Sequence, residues 1–257
     1  MAQHARDDPQ PTDDLAALIA TIQRRWGARA LRRGAASAAS DRLPTTIAPL
    51  DHLLGGGVPR GAISELLGAP TAGTTTIALT ALAHAQARGE VCAYLDGHGH
   101  FGVEYATMCG VDLARLILVR SAAPRDALAI VRTLIEHQVS VLVINTLDVG
   151  DTTASDGSLA DGMRGLMHAL MDSPCALLAL TALPDTTLDS DWTGERRSRI
   201  GTVAALRLLI TREAWQLDDV TTPRCRSRVR VLRQRGAPAG AECQITIRFP
   251  LGGVERR

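Results

Sequence analysis

The sequence predicts an α/β fold: a mostly parallel central sheet flanked by helices, with an antiparallel C-terminal extension. Three observations carry that expectation. From Gly61 onward, apolar strand-like runs alternate with helix-like stretches. Those runs are continuously apolar, as in parallel strands covered on both faces. Near the C-terminal end the pattern changes to consecutive strands with turns between them, TVAALRLLIT, SRVRVLRQ and ECQITIRF.

The elements follow in chain order. Residues 1–12 are polar and proline-containing, and are expected to be disordered. Asp13 and Asp14 then open a helix at its positive end. Leu15, Leu18, Ile19, Ile22 and Trp26 recur at helical spacing and form one apolar stripe, a candidate protein-contact face. Residues 34–41, GAASAASD, read as a small-residue linker, so 13–41 is a helix plus linker ahead of a core at 42–250. Residues 251–257 form a short basic tail. Within the core, strands are expected at 62–68, 91–96, 115–119, 139–146 and 175–183, and helices at 74–88, 104–110, 124–138 and 159–171.

Composition narrows the class. At 46% hydrophobic and 21% charged, the 257 residues can bury a full core. No run of 18 apolar residues occurs, and the N-terminal stretch has no apolar targeting segment, so no membrane association and a cytoplasmic location are expected. The five cysteines are widely spaced with no C-x-x-C, and read as buried thiols in a reducing compartment. All 28 basic residues are Arg. Residues 1–195 carry 14 Arg against 22 acids, net −8, and residues 196–257 carry 14 Arg against 5 acids, net +9. Either the C-terminal part faces a polyanion, or folding interleaves the two halves and cancels the field.

The strand AISELLG runs into Gly68-Ala69-Pro70-Thr71-Ala72-Gly73-Thr74-Thr75 and then a helix, the context of a Walker A phosphate loop, G-x-x-x-x-G-K-[ST]. Gly68 and Gly73 hold the required spacing, and Thr75 stands where a hydroxyl would ligate magnesium. The lysine position is Thr74, a neutral hydroxyl that cannot hold β- and γ-phosphates. This reading requires no cofactor; the backbone nest and helix N-terminus retain the groups for weak ATP and magnesium binding.

The stretch 43–76, LPTTIAPLDHLLGGGVPRGAISELLGAPTAGTTT, resembles the core of RecA-type recombinases. Similarity continues through 87–113, 139–146 and 228–247, and 15–34 is similar to the family's leading helix. The resemblance implies a RecA-like P-loop fold. It also marks two further departures. The family's general-base glutamate falls on His98, and its Walker B aspartate falls on Asn145, the sole Asn in the chain. An amide is a poor substitute where magnesium prefers a carboxylate. ATP hydrolysis is therefore not expected. Asp96, His98 and His100 are read as loop residues rather than a metal set, since alternate loop positions give weak geometry.

Arg224, Arg226, Arg228 and Arg230 alternate along one strand and share a face. They contact phosphate or DNA, or else form a solvated, internally paired face. The resemblance implies that Arg233 and Arg235 match a basic pair reaching a nucleotide on the neighbouring subunit. It also places single-stranded DNA at 148–162 and 184–199. The first of these is acidic and holds no Arg, whereas the second offers Trp192, Arg196, Arg197 and Arg199, suited to stacking and clamping a strand.

The chain also resembles ImuA, the accessory proteins of bacterial mutagenic translesion synthesis, through its LLGGG-x-PRGA-x-SELL leader, broken phosphate loop and terminal LRQRGAP. Three functions stay open at this point. The first is a non-catalytic accessory of the DNA-damage response, contacting DNA, RecA or a translesion polymerase, with self-association also allowed. The second is a DNA-dependent ATPase with a divergent Walker A site. The third is a basic single-strand-binding module.

Overall fold

A computed structural model describes residues 11–26, 42–97, 99–120, 124–145, 157–183, 199–217, 223–235 and 239–248. The chain divides into two units, Met1–Ser40 and Asp41–Arg257. The first contains α1, Pro11–Trp26, which begins two residues before Asp13 and therefore takes in the end of the stretch expected to be disordered. Pro is well tolerated there, because the first-turn N–H groups have no helical partner to lose.

The second unit opens with an element the pattern did not announce. The RLPTTIAPLDHLLGGGVP leader folds as β1 (Arg42–Leu43), α2 (Ala48–Leu54) and β2 (Val58–Pro59). Asp51 fixes the entry: its carboxylate accepts the Thr45 N–H and hydroxyl, each at 2.8 Å, and the Thr46 N–H at 3.1 Å. Gly55 ends α2 in the left-handed conformation. At Gly57 the chain passes so close to the Leu43 carbonyl that a side chain has no room.

The remaining elements are β3 (Ala62–Gly68), α3 (Thr74–Ala87), β4 (Cys92–Asp96), α4 (Val103–Met108), β5 (Leu116–Arg120), α5 (Pro124–Glu136), β6 (Val141–Asn145), α6 (Gly157–Met171), β7 (Ala176–Ala182), α7 (Arg199–Val203), β8 (Leu206–Leu217), β9 (Pro223–Gln234) and β10 (Glu242–Arg248). The main sheet has the order β10-β9-β8-β3-β7-β6-β4-β5. Strands β3 to β8 pair in parallel, while β8, β9 and β10 pair antiparallel. The expected parallel sheet with an antiparallel extension is thus the observed one. The short α7 is an addition to it.

Two apolar layers sandwich the sheet. Leu50, Leu54, Ile77, Leu82, Tyr94, Val143, Ile210 and Ile247 pack on one face. Ile63, Leu95, Val131, Ile135, Leu142, Leu166 and Ile200 pack on the other. Strands buried on both sides explain why 141–144 and 176–180 are apolar without alternation. β9 does alternate, with Cys225, Ser227 and Val229 buried and Arg226 and Arg228 exposed, because the arginine-bearing face is open to solvent. Among the described residues, no helix is long and apolar enough to cross a membrane.

Candidate functional site

β3 is a central strand, and its carboxyl end delivers Gly68 into the glycine loop, where open α/β sheets place their ligands. Gly68 leaves β3 beneath the Ile210 carbonyl, which a Cβ would meet at 2.8 Å. Gly73 caps α3 at φ 109°, a left-handed conformation costly for any side chain, and the Ile247 side chain fills the space beside it. Thr71 is also left-handed, at φ 65°. Thr74 and Thr75 open α3 and are half-buried.

The antiparallel extension staples this loop. Arg212 on β8 donates to the Pro70 carbonyl at 3.1 Å and to the Thr71 hydroxyl, and its guanidinium lies 5.9 Å from the Trp215 ring centroid. The Ser227 hydroxyl on β9 donates to the Ala72 carbonyl at 2.8 Å. Ala69 and Ala72 are buried in consequence. Protein contacts therefore help hold the backbone shape of the phosphate loop.

The groups around the loop are engaged with one another. Asn145 ends β6 directly opposite Asp96 of β4. Burial, reinforced by the charge of Asp96, pushes the Tyr94 hydroxyl well above its ordinary pKa, so it remains a neutral hydrogen-bonding group. The buried Asp96 carboxylate accepts the N–H groups of His100 at 3.0 Å and Phe101 at 2.9 Å. Thr76 and Tyr105 share a hydrogen bond of 2.5 Å, and burial raises the Tyr105 hydroxyl to about 12. His98 lies outside the described residues.

At the positions that would face a magnesium–nucleotide group, Thr74 supplies no cation, Asn145 is an amide, and the Asp96 carboxylate accepts two backbone N–H groups. The Thr75 hydroxyl and the first-turn N–H groups of α3 are what the site offers a phosphate.

The arginine ladder lies on the solvent face of β9, with acids interleaved. Glu213 meets Arg228 at 2.6 Å and Arg226 at 3.5 Å, and Glu242 meets Arg230 at 2.5 Å and Arg228 at 3.8 Å. Arg224 stands directly opposite Arg248 on β10. The two final arginines differ in their surroundings. Arg233 donates to the carbonyls of Gly201, Thr202 and Ala204 at 3.0, 3.1 and 3.5 Å, closing the C-terminal end of α7. Arg235 is exposed.

Trp192, Arg196 and Arg197 lie outside the described residues, and Arg199 opens α7. On α1, Leu18 is 55% exposed and Ile19 and Ile22 are intermediate, whereas the side chains of Leu15 and Trp26 lie outside what is described.

Sequence reasoning passed over Arg212, Ser227 and a buried ion pair between Glu65 and Arg207, 2.6 Å apart. The pair had a legible signal: one acid within AISELLG and one base within LRLLI, each alone in an apolar strand. Arg212 had none, because its role depends on β8 lying beside the loop.

Comparison with known proteins agrees with this geometry. The family model for the RecA N-terminal domain matches residues 13–188. RecA of Roseiflexus castenholzii is 30% identical over 261 residues, covering 93% of this chain and 74% of that protein. RecA of Chloroflexus aurantiacus is 29% identical over a similar span, and RecA of Bartonella quintana is 39% identical over 145 residues, 55% of this chain and 41% of that protein. The crystal structure of the RadB recombinase superposes with a TM-score of 0.57 at 18% identity, covering 79% of this chain and 94% of that one. The leader, the loop and the strand order together place this chain in the RecA family.

Proposed function

We propose that this chain is a non-catalytic member of the RecA family, serving DNA repair, recombination or translesion synthesis through protein and DNA contacts. One observation carries the reading. The glycine loop keeps its backbone form, stapled by Arg212 and Ser227, while Thr74, His98 and Asn145 stand at the positions where the family's turnover uses a lysine, a glutamate and an aspartate. A scaffold retained without its catalytic groups suits recognition. Contact with DNA falls to the β9 arginines and to 184–199, and contact with RecA or a translesion polymerase falls to the apolar stripe of α1. Location in the cytoplasm belongs to the same proposal.

Fluorescent ATP binding, measured with and without magnesium and single-stranded DNA and followed by phosphate release, tests it. The expected result is weak or no binding and no release. Magnesium-dependent binding with DNA-stimulated release would instead establish the second reading, a divergent ATPase. Exposed Arg235 favours that reading as a cation available to a nucleotide outside its own subunit.

A further inference from the structure

The Glu65 carboxylate is fully buried in the middle of the sheet, and its ion-pair partner Arg207 is 11% exposed. Such a charge requires close compensation. Arg207 Nε donates to Oε2 at 2.6 Å, and the Thr181 hydroxyl donates to Oε1 at 3.0 Å. A buried ion pair is a poor route to stability, since apolar side chains of similar volume serve as well or better. What this pair supplies is a junction. Glu65 sits on β3, three residues before Gly68. Thr181 is near the end of β7, and Arg207 is at the start of β8.

α7 rests on the same junction. A Cβ on Gly201 would lie 2.8 Å from both the Arg207 guanidinium carbon and the Glu65 carboxylate, so only glycine lets the helix settle there. On its other side, Arg233 takes the carbonyls of Gly201, Thr202 and Ala204. Five residues cannot form a stable helix alone, so these contacts set where α7 lies. Thr181 and Gly201 flank the two ends of the 184–198 connection, and one carboxylate on the glycine-loop strand reaches toward both.

We propose that Glu65 is a positioning residue that binds the end of β7, α7 and β8 to the strand carrying the glycine loop. Both stems of the 184–198 connection are thereby held in fixed relation to that loop. The inference deepens the proposed function and rests on it where nucleic acid is concerned: affinity for a single strand depends on the charge at position 65, which itself touches no ligand.

The test is hydrogen exchange of the full chain, with Glu65→Gln and Gly201→Ala compared with the unaltered protein. The charge removed in one variant and the Cβ forced against the pair in the other act from opposite sides of the junction. Both should speed exchange at α7 and at the end of β7 by about tenfold or more, with α3 and β4 unchanged. Unchanged exchange at α7 in a folded variant overturns the proposal. If Glu65→Gln fails to fold, Gly201→Ala decides the matter, since both charges of the pair are retained in it and the disturbance is confined to the seat of α7 on them. Binding of a fluorescent oligothymidylate is read in parallel and should weaken several-fold in both variants. If the unaltered chain binds no oligonucleotide, the nucleic-acid reading falls, and the positioning role still stands or falls on the exchange data.

Discussion

The parallel half of the sheet and its antiparallel extension treat charge in opposite ways. In β4, β6 and β7 nearly every side chain is apolar, and Asn145 stands neutral beside Asp96. In β8 to β10 one face is a lattice of Arg226, Arg228 and Arg230 with Glu213 and Glu242, and the other sends Arg212 and Ser227 to the glycine loop. Neutral Thr74 and Asn145 stand at the glycine-loop end of the sheet, while charge is concentrated on the solvent face of β9. The lesson is that a loop's form and its chemistry are separable: neighbouring strands hold the form by contacts that do not involve the residues at the lysine and aspartate positions.

Thiol reactivity offers the largest contrast between the regions. Burial pushes Cys92 and Cys175 up to about 12 from an ordinary 9.0, whereas Cys243 on β10 is raised less and is only partly buried. The thiolate is the reactive form, so a raised pKa removes it at pH 8. Alkylation at pH 8 followed by peptide mass analysis should label Cys243 first, with Cys92 and Cys175 at least about a hundredfold slower. Equal rates would mean that the parallel half is not sealed.

Gly73→Ala breaks the contact between the regions. The new methyl would overlap the Ile247 side chain and impose a left-handed alanine, costing about 3 kcal/mol by denaturant midpoint. Gly89→Ala is the control, with φ 82° but open space around it, and should cost about 1 kcal/mol.

Asn145→Asp restores a charge to the parallel half. The new carboxylate would lie opposite Asp96, and like charges there should cost about 2 kcal/mol at pH 7. The sign with pH follows from the repulsion. The folded pKa of the introduced acid is raised above its unfolded value, so the variant is least penalised below about pH 4. The penalty then grows as pH rises through the raised value. Thermal melts at pH 4 and pH 7 check it: a penalty that does not grow with pH would mean that Asp96 is not facing position 145.

Arg228→Gln should do least to stability. Its side chain is 47% exposed, and Glu213 keeps Arg226 and Glu242 keeps Arg230 as partners, so the change should stay below about 1 kcal/mol. If the face meets DNA backbone, the same variant should lower the salt dependence of binding by about one unit of slope. An unaltered slope assigns the ladder to internal pairing.

Much of the fold was legible in the chain. Apolar runs without alternation announced buried parallel strands, and the alternating arginines of 224–230 announced an open face. The glycine spacing of 68 and 73 announced the loop, because close backbone approach and left-handed geometry exclude other residues. The α2 leader and α7 were not legible. Seven and five residues carry too little periodicity, and both are set by outside contacts, Asp51 for one and the Glu65–Arg207 junction for the other. For the arginines of 224–235, type and spacing were legible, but not which acid each would meet.

Residue identity alone determined that the loop lacks a lysine, that position 145 carries an amide, and that the C-terminal part is rich in arginine. These are facts of chemistry that no folding can alter. Tertiary structure alone decided that Arg212 and Ser227 hold the loop, that Asn145 stands opposite Asp96, that Arg233 closes α7, and that a buried carboxylate joins β3 to β7 and β8. Each of these contacts pairs residues far apart in the chain. Local pattern fixes which face a side chain occupies, but only the order of strands in the sheet fixes what it meets there.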